Sequence, residues 1–240
     1  MENVEAIQAL VERGVTQEID GKIYSPVGLR RVIHDPQPLP LAIRTLTGLA
    51  DYIKSKIDQN ALSKIFVVVE SFTSVALYQE LNPETMLRRN FMRVELEKLR
   101  EFQFGQFTDN ENFLIQLRSM FMSNTDRERL LRFASQVSVD ESLKTQDDGV
   151  SQSVAVNKGM SGALKEKQIA PSVVSLIPYR TFREVDQPAS EFIFRMRAAG
   201  TGQPPYCALF EADGGAWKLQ AMKNIATWLK ANLKTVTVLA

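Results

Sequence analysis

The sequence predicts an α+β fold: a mixed β-sheet with helices packed on one side and a long projecting β-hairpin. Three stretches carry that prediction. Between Glu191 and Arg197, Phe192, Phe194 and Met196 alternate with Glu191, Arg195 and Arg197, the period of two that marks a strand with one face in a core. After Gly214 and Gly215 the period changes, and Trp217, Ala221, Ile225 and Trp228 recur at helical spacing. Val236 and Val238 then resume alternation. The distance from the apolar run Tyr206–Ala212 to these valines is enough for a crossover connection through the helix.

Taken in order, Asn3–Arg13 reads as a short helix with Val4, Ile7, Leu10 and Val11 on one side and Gly14 suited to its end. The segment 16–25 reads as a hairpin, because Asp20-Gly21 supplies the positive φ values of a type I′ turn. Pro36, Pro38 and Pro40 make an extended connector. The chain thus divides into residues 1–40 (helix, hairpin and proline-rich connector) and a main α+β domain over 41–240, one continuous domain being the alternative. Thr47–Ile57 is a helix through Leu49, Ala50, Ile53 and Ile57. Ile65–Val69 is a β-branched central strand, followed by a turn at 71–74 and a second strand over Val75–Tyr78. Residues 90–104 read as either strand or helix, and Phe102–Phe107 is taken as a strand. Thr108 with Glu111, and Thr125 with Glu128, fit two capping boxes. A long hairpin turns across Asp148-Gly149, and Asn157–Gln168 reads as a polar, mobile surface loop.

Composition narrows function. The chain has 240 residues, 44% of them apolar and 24% charged, as in ordinary globular proteins, and a net charge of +1 gives no global attraction to polyanions. No apolar run reaches the roughly 18 residues that span a bilayer. The acidic, amphipathic start is not that of a signal peptide, and one cysteine excludes an internal disulfide framework, so a reducing, cytoplasmic setting is expected.

His34 is the only histidine, which closes mechanisms needing two and any zinc site of Cys/His type. Cys207 lies in an apolar run, as a small buried hydrophobe does. Glu211 and Asp213, at a strand end before a helix, could join other acids around Mg²⁺, but Asp213 with two glycines is explained by the turn itself. Gly214-Gly215 matches neither the P-loop nor the dinucleotide spacing. No catalytic, cofactor-binding or metal-binding residue is therefore assigned, and no cofactor is expected. Arg180, Arg183, Arg195 and Arg197, interleaved with Tyr179 and Phe182, form a candidate face for single-stranded nucleic acid, with weak or no binding expected. Phe102, Phe104, Phe107, Asp148 and Gly149 are candidate contacts between copies of the chain, since two-stranded ribbons are marginal alone.

The segments "PYRTFREVDQPASEFIFRMR" and "ALFEADGGAWKLQAMKNIATWL" resemble phage and prophage proteins of unassigned function, loosely the YfdQ-like family. The layout of "SFTSVALY", "FGQFTDNENFLIQL" and "DDGVSQSV" is similar too. That resemblance implies a cytoplasmic, virus-encoded accessory protein and transfers no functional residue. The expected function is a non-catalytic, self-associating phage or prophage protein, a homo-oligomer of whatever size, acting by assembly or macromolecular binding. The alternatives are a single-stranded nucleic-acid or recombination accessory factor and, less favoured, a carboxylate-Mg enzyme.

Overall fold

Asp20 and Gly21 both take positive φ (53° and 70°), so a two-residue turn joins β1 (Gln17–Ile19) to β2 (Lys22–Ser25) with Ile19 opposite Lys22. A two-residue strand, β3 (Arg30–Arg31), completes this small antiparallel sheet. The computed structural model describes residues 17–25, 30–31, 39–58, 64–83, 85–97, 101–136, 145–147, 152–155, 167–197 and 203–240. The helix expected over 3–13, the segment around His34, and Asp148 and Gly149 lie outside the described residues.

The chain continues through β4 (Leu41–Ile43) into α1 (Leu46–Ser55). This helix starts one residue earlier than periodicity suggests because Thr45 caps it, accepting from the Gly48 N–H at 3.2 Å. Its other free amides are satisfied from far along the sequence: Leu46 and Thr47 N–H donate to Oε1 of Glu184 at 2.8 and 3.3 Å. Lys56, in the left-handed conformation, ends it. The β-branched run becomes β5 (Ile65–Ser71), which turns through Phe72 and Thr73 into β6 (Ser74–Gln79). The ambiguous stretch forms β7 (Asn90–Glu95) and then leaves regular structure. Residues 102–107 are not the expected strand; Phe102 turns inward and is buried.

Next come β8 (Thr108–Asp109), α2 (Asn110–Met120) and α3 (Thr125–Gln136). Both helices are capped one residue earlier or later than the capping boxes suggest. Asp109, not Thr108, accepts from the Asn112 N–H at 2.9 Å and from its side-chain amide at 2.7 Å, while Thr108 is held in a ladder opposite Cys207. Asn124, not Thr125, accepts from the Arg127 N–H at 2.8 Å, and its amide also donates to the Ser175 carbonyl. β9 (Thr145–Asp147) and β10 (Gln152–Ala155) pair antiparallel with Gln152 opposite Asp147, and the four residues between them are outside the described set. The end of the expected loop is instead β11 (Lys167–Ile169), a third strand beside β10. The chain closes with β12 (Val173–Leu176), β13 (Ser190–Arg197), β14 (Tyr206–Glu211), α4 (Ala216–Asn232) and β15 (Thr237–Leu239).

The fold is α+β, with two larger sheets rather than one. The first has the order β15-β5-β6-β7-β4 and is mixed, since β15 runs parallel to β5 and β4 parallel to β7. The second has the order β12-β13-β14-β8 and is antiparallel. Each has its own core. Leu46, Leu49 and Ala50 of α1 and Ile225, Ala226 and Leu229 of α4 pack with Val67, Val69, Val75 and Leu77 of the mixed sheet. Phe113 and Leu117 of α2 and Leu130, Leu131 and Phe133 of α3 pack with Phe192, Phe194, Met196 and Leu209 of the other. The crossover helix α4 thus leaves one sheet and delivers β15 to the other. Among the described residues, no helix is long and apolar enough to cross a membrane.

Candidate functional site

Between β12 and β13 the chain leaves the antiparallel sheet, crosses to the mixed sheet and returns, and a site is built around this strap, residues 177–189. Its first residues stay with the second core, where Met122 N–H donates to the Ile177 carbonyl and Tyr179 N–H to that of Met120. Its middle enters the first core, with Phe182 and Val185 buried among that sheet's residues. The Thr181 hydroxyl donates to the carbonyl of Phe72, at the tip of the β5–β6 turn.

A buried glutamine fixes the shape of the strap. Gln187 Oε1 accepts from the N–H groups of Arg180 (2.9 Å) and Thr181 (3.2 Å), and its Nε2 donates to the carbonyls of Phe182 (2.8 Å) and Val185 (3.2 Å). One side chain thus satisfies main-chain groups that lie away from water and away from any ladder.

The crossing point carries Arg180. Its side chain is 8% exposed, and Nη2 forms an ion pair with Oε1 of Glu211 at 2.7 Å. The guanidinium sits over three rings, 4.4 Å from the centroid of Trp217, 4.7 Å from Phe104 and 5.2 Å from Phe192. Burial draws its pKa below the ordinary arginine value, and Glu211 and Asp213 oppose that shift. Phe72 packs edge-on against Trp217 at 4.8 Å. Around these groups opens a cleft of about 640 Å³ between the two sheets, lined by Phe72, Phe102, Phe104, Trp217, Glu211 and Lys218 among others.

The four arginines of the candidate nucleic-acid face are not brought together. Arg180 points to the core side, against Phe192, whereas Arg195 and Arg197 occupy the opposite face of β13 from Phe192, Phe194 and Met196. Arg183 stacks on Tyr179 at 3.7 Å, Arg197 over Phe107 at 4.4 Å, and Arg195 donates to the Phe194 carbonyl at 3.2 Å. Of the candidate contacts between copies, Phe102 is buried in the second core, Phe104 packs partly buried against it, and Phe107 meets Phe210 edge-on.

Glu211 and Asp213 serve the fold in different ways. Glu211 balances Arg180, and Asp213 Oδ1 accepts from the Gly215 N–H at 3.0 Å, closing the turn into α4. Gly214 and Gly215 have φ of 61° and 82°, with open space where a Cβ would stand, so it is the left-handed backbone that calls for glycine. Cys207 is sealed in the second core, and burial pushes its thiol up to about 12. Among the described residues no three His, Cys, Asp or Glu side chains group as a metal site would require. Sequence reading missed Gln187 and the pairing of Arg180 with Trp217. The only local signal was Pro178 and Pro188 bracketing an irregular segment. Compared with known proteins, the chain matches no family model, no curated protein and no solved structure.

Proposed function

We propose that this chain is a non-catalytic, self-associating accessory protein of a phage or prophage that acts by binding another macromolecule in the host cytoplasm. The directions in which the fold moves its acids, thiol and phenols count against acid–base catalysis, and the make-up of the cleft between the sheets carries the reading. General acids and bases work best with a pKa near the working pH, and active sites are arranged to bring them there. Here hydrogen bonds hold the Asp109 carboxyl low, while burial pushes Tyr52 and Cys207 each up to about 12. Asp213 is partly buried, but hydrogen bonds from Gly215, Ser190 and Trp217 outweigh that and hold it low. Each group moves away from neutrality. The cleft between the two sheets is walled by aromatic rings around a caged cation, which suits recognition better than reaction.

Self-association is supported by the edges of the mixed sheet. Among the described residues, Leu41 on β4 and Leu239 on β15 stand at the two outer positions, and each is 49% exposed. An open edge with apolar side chains is a template for another chain. Mass photometry at micromolar protein should report species heavier than the 27.1 kDa chain; a monomer overturns this reading.

A second reading, as a single-stranded nucleic-acid factor, is favoured by the stacked pairs Arg183–Tyr179 and Arg197–Phe107. Only weak, salt-sensitive binding is expected, and sub-micromolar affinity at about 150 mM salt would promote this reading over the first.

A further inference from the structure

We infer that the cleft between the two sheets receives a positively charged side chain, an arginine or lysine carried on an apolar stretch of a partner polypeptide. The inference rests on the reading of the chain as a macromolecule binder and names what that partner must present.

The walls come first. Phe72, Phe102, Phe104 and Trp217 line the cleft, and the electron-rich face of an aromatic ring attracts a cation within about 6 Å of its centroid. The fold already uses these rings in that way. Arg180 is the fixed case, enclosed and balanced by Glu211. Lys218 is the loose one: it is exposed, its Nζ stands 5.8 Å from the Trp217 centroid and 5.9 Å from Phe72, and it forms no ion pair among the described residues. A cation held that weakly is displaceable.

Charge comes next. With Arg180 offset by Glu211 and Glu95 paired with Arg44 at 3.8 Å, Glu97 and Glu101 line the cleft against the single charge of Lys218. Glu101 lies near enough to act on Arg180. An incoming anion would meet these acids, and the cation best placed to receive it is already enclosed and paired. An incoming cation meets rings and carboxylates together.

Size and one unmet group complete the argument. A volume of about 640 Å³ holds a long side chain with its flanking residues. The indole N–H of Trp217, on a ring of the cleft wall, is buried without an acceptor among the described residues, and it reports on changes in that wall.

The test uses three blocked peptides, acetyl-Leu-Arg-Leu-amide, acetyl-Leu-Gln-Leu-amide and acetyl-Leu-Glu-Leu-amide, titrated into the full chain and followed by the two indole N–H resonances in NMR. The Trp217 signal is the one that Trp217→Phe removes. The arginine peptide should shift it saturably, the glutamine peptide less and the glutamate peptide least. Glu101→Gln should weaken the arginine peptide about two- to fivefold, the worth of one exposed ion pair. Lys218→Ala should tighten it by removing the competing cation. Preference for the glutamate peptide, with its loss in Lys218→Ala, would make the cleft an anion site and overturn the inference. So would an indole that none of the peptides moves at millimolar concentration. Assembly in mass photometry is read separately, so a protein that assembles yet ignores the arginine peptide loses the cleft inference alone.

Discussion

Replacing either partner of the Arg180–Glu211 pair should have unequal effects, and the inequality tests how the cleft floor is held. Arg180 is 8% exposed and Glu211 40%. Glu211→Gln leaves a cation enclosed by Phe104, Phe192 and Trp217 with its nearest counter-charge gone. Uncompensated buried charges cost about 3–5 kcal/mol. Here the lost carboxylate is substantially solvated and Asp213 still acts on the guanidinium, which reduces the expected cost to about 1–2 kcal/mol. Arg180→Met removes the desolvated charge, fills similar volume against the same rings and frees Glu211 to face water. The loss of three ring contacts, worth about 2 kcal/mol when desolvated, is offset by the desolvation no longer incurred, so the net change should stay within about 1 kcal/mol. The double variant should resemble Arg180→Met. Urea unfolding followed by circular dichroism reads all three. If Arg180→Met proves costlier than Glu211→Gln by more than about 2 kcal/mol, the rings hold arginine as a net stabilising cation and the desolvation argument fails.

Three other outcomes are expected. Gln187→Ala strips partners from five main-chain groups inside the strap and should cost about 2–4 kcal/mol in urea, whereas a change below about 0.5 kcal/mol would mean that water replaces the side chain. Backbone and side-chain hydrogen bonds from Asn112 hold Asp109 below its ordinary 3.8, so its contribution is complete above that value and is lost as pH falls through the lower folded pKa. Asp109→Ala should therefore cost about 1 kcal/mol at pH 7 and less at pH 2, and a cost that does not change with pH would remove the charge from the explanation. Cys207, raised by burial to about 12, should resist a thiol reagent at pH 8 until the chain unfolds; its folded pKa lies above the unfolded one near 9, so its contribution is present below pH 9 and lost above it. Rapid labelling of the native protein would show that the second core opens locally.

Much of the architecture was legible because local periodicity survives wherever one face of an element is buried. Phe192, Phe194 and Met196 lie inward as their alternation indicates, and Trp217, Ala221 and Ile225 mark the buried face of α4. What periodicity does not carry is which sheet an element joins. The run from Tyr206 through Val238 reads as one strand–helix–strand unit, yet its two strands belong to different sheets, and nothing in the spacing distinguishes a crossover within a sheet from one between sheets. The caps fail for a related reason. Thr108 has the right chemistry for its helix, but the ladder with Cys207 fixes it as a strand residue, and the next acceptor, Asp109, takes the free amide.

The site was harder to read because its chemistry comes from segments far apart in sequence. In one dimension Tyr179, Arg180, Phe182 and Arg183 look like aromatics interleaved with base-binding cations. In the fold the four part three ways: Phe182 to the first core, Arg180 to the floor of the cleft, and Tyr179 and Arg183 onto each other. A solvated sheet face keeps neighbouring arginines together, whereas a strap running between two cores sends successive side chains to different environments. Arg180 enters a core only because Glu211, Phe104 and Trp217 arrive from three other parts of the chain to meet its charge and its planar face. No window on the sequence spans those four positions. The same separation makes the cleft depend on tertiary structure: its walls come from the β5–β6 turn, the 101–107 loop, the strap and the start of α4, so it forms only when both cores are in place. Any partner that fills it therefore binds the assembled fold and stabilises both sheets together.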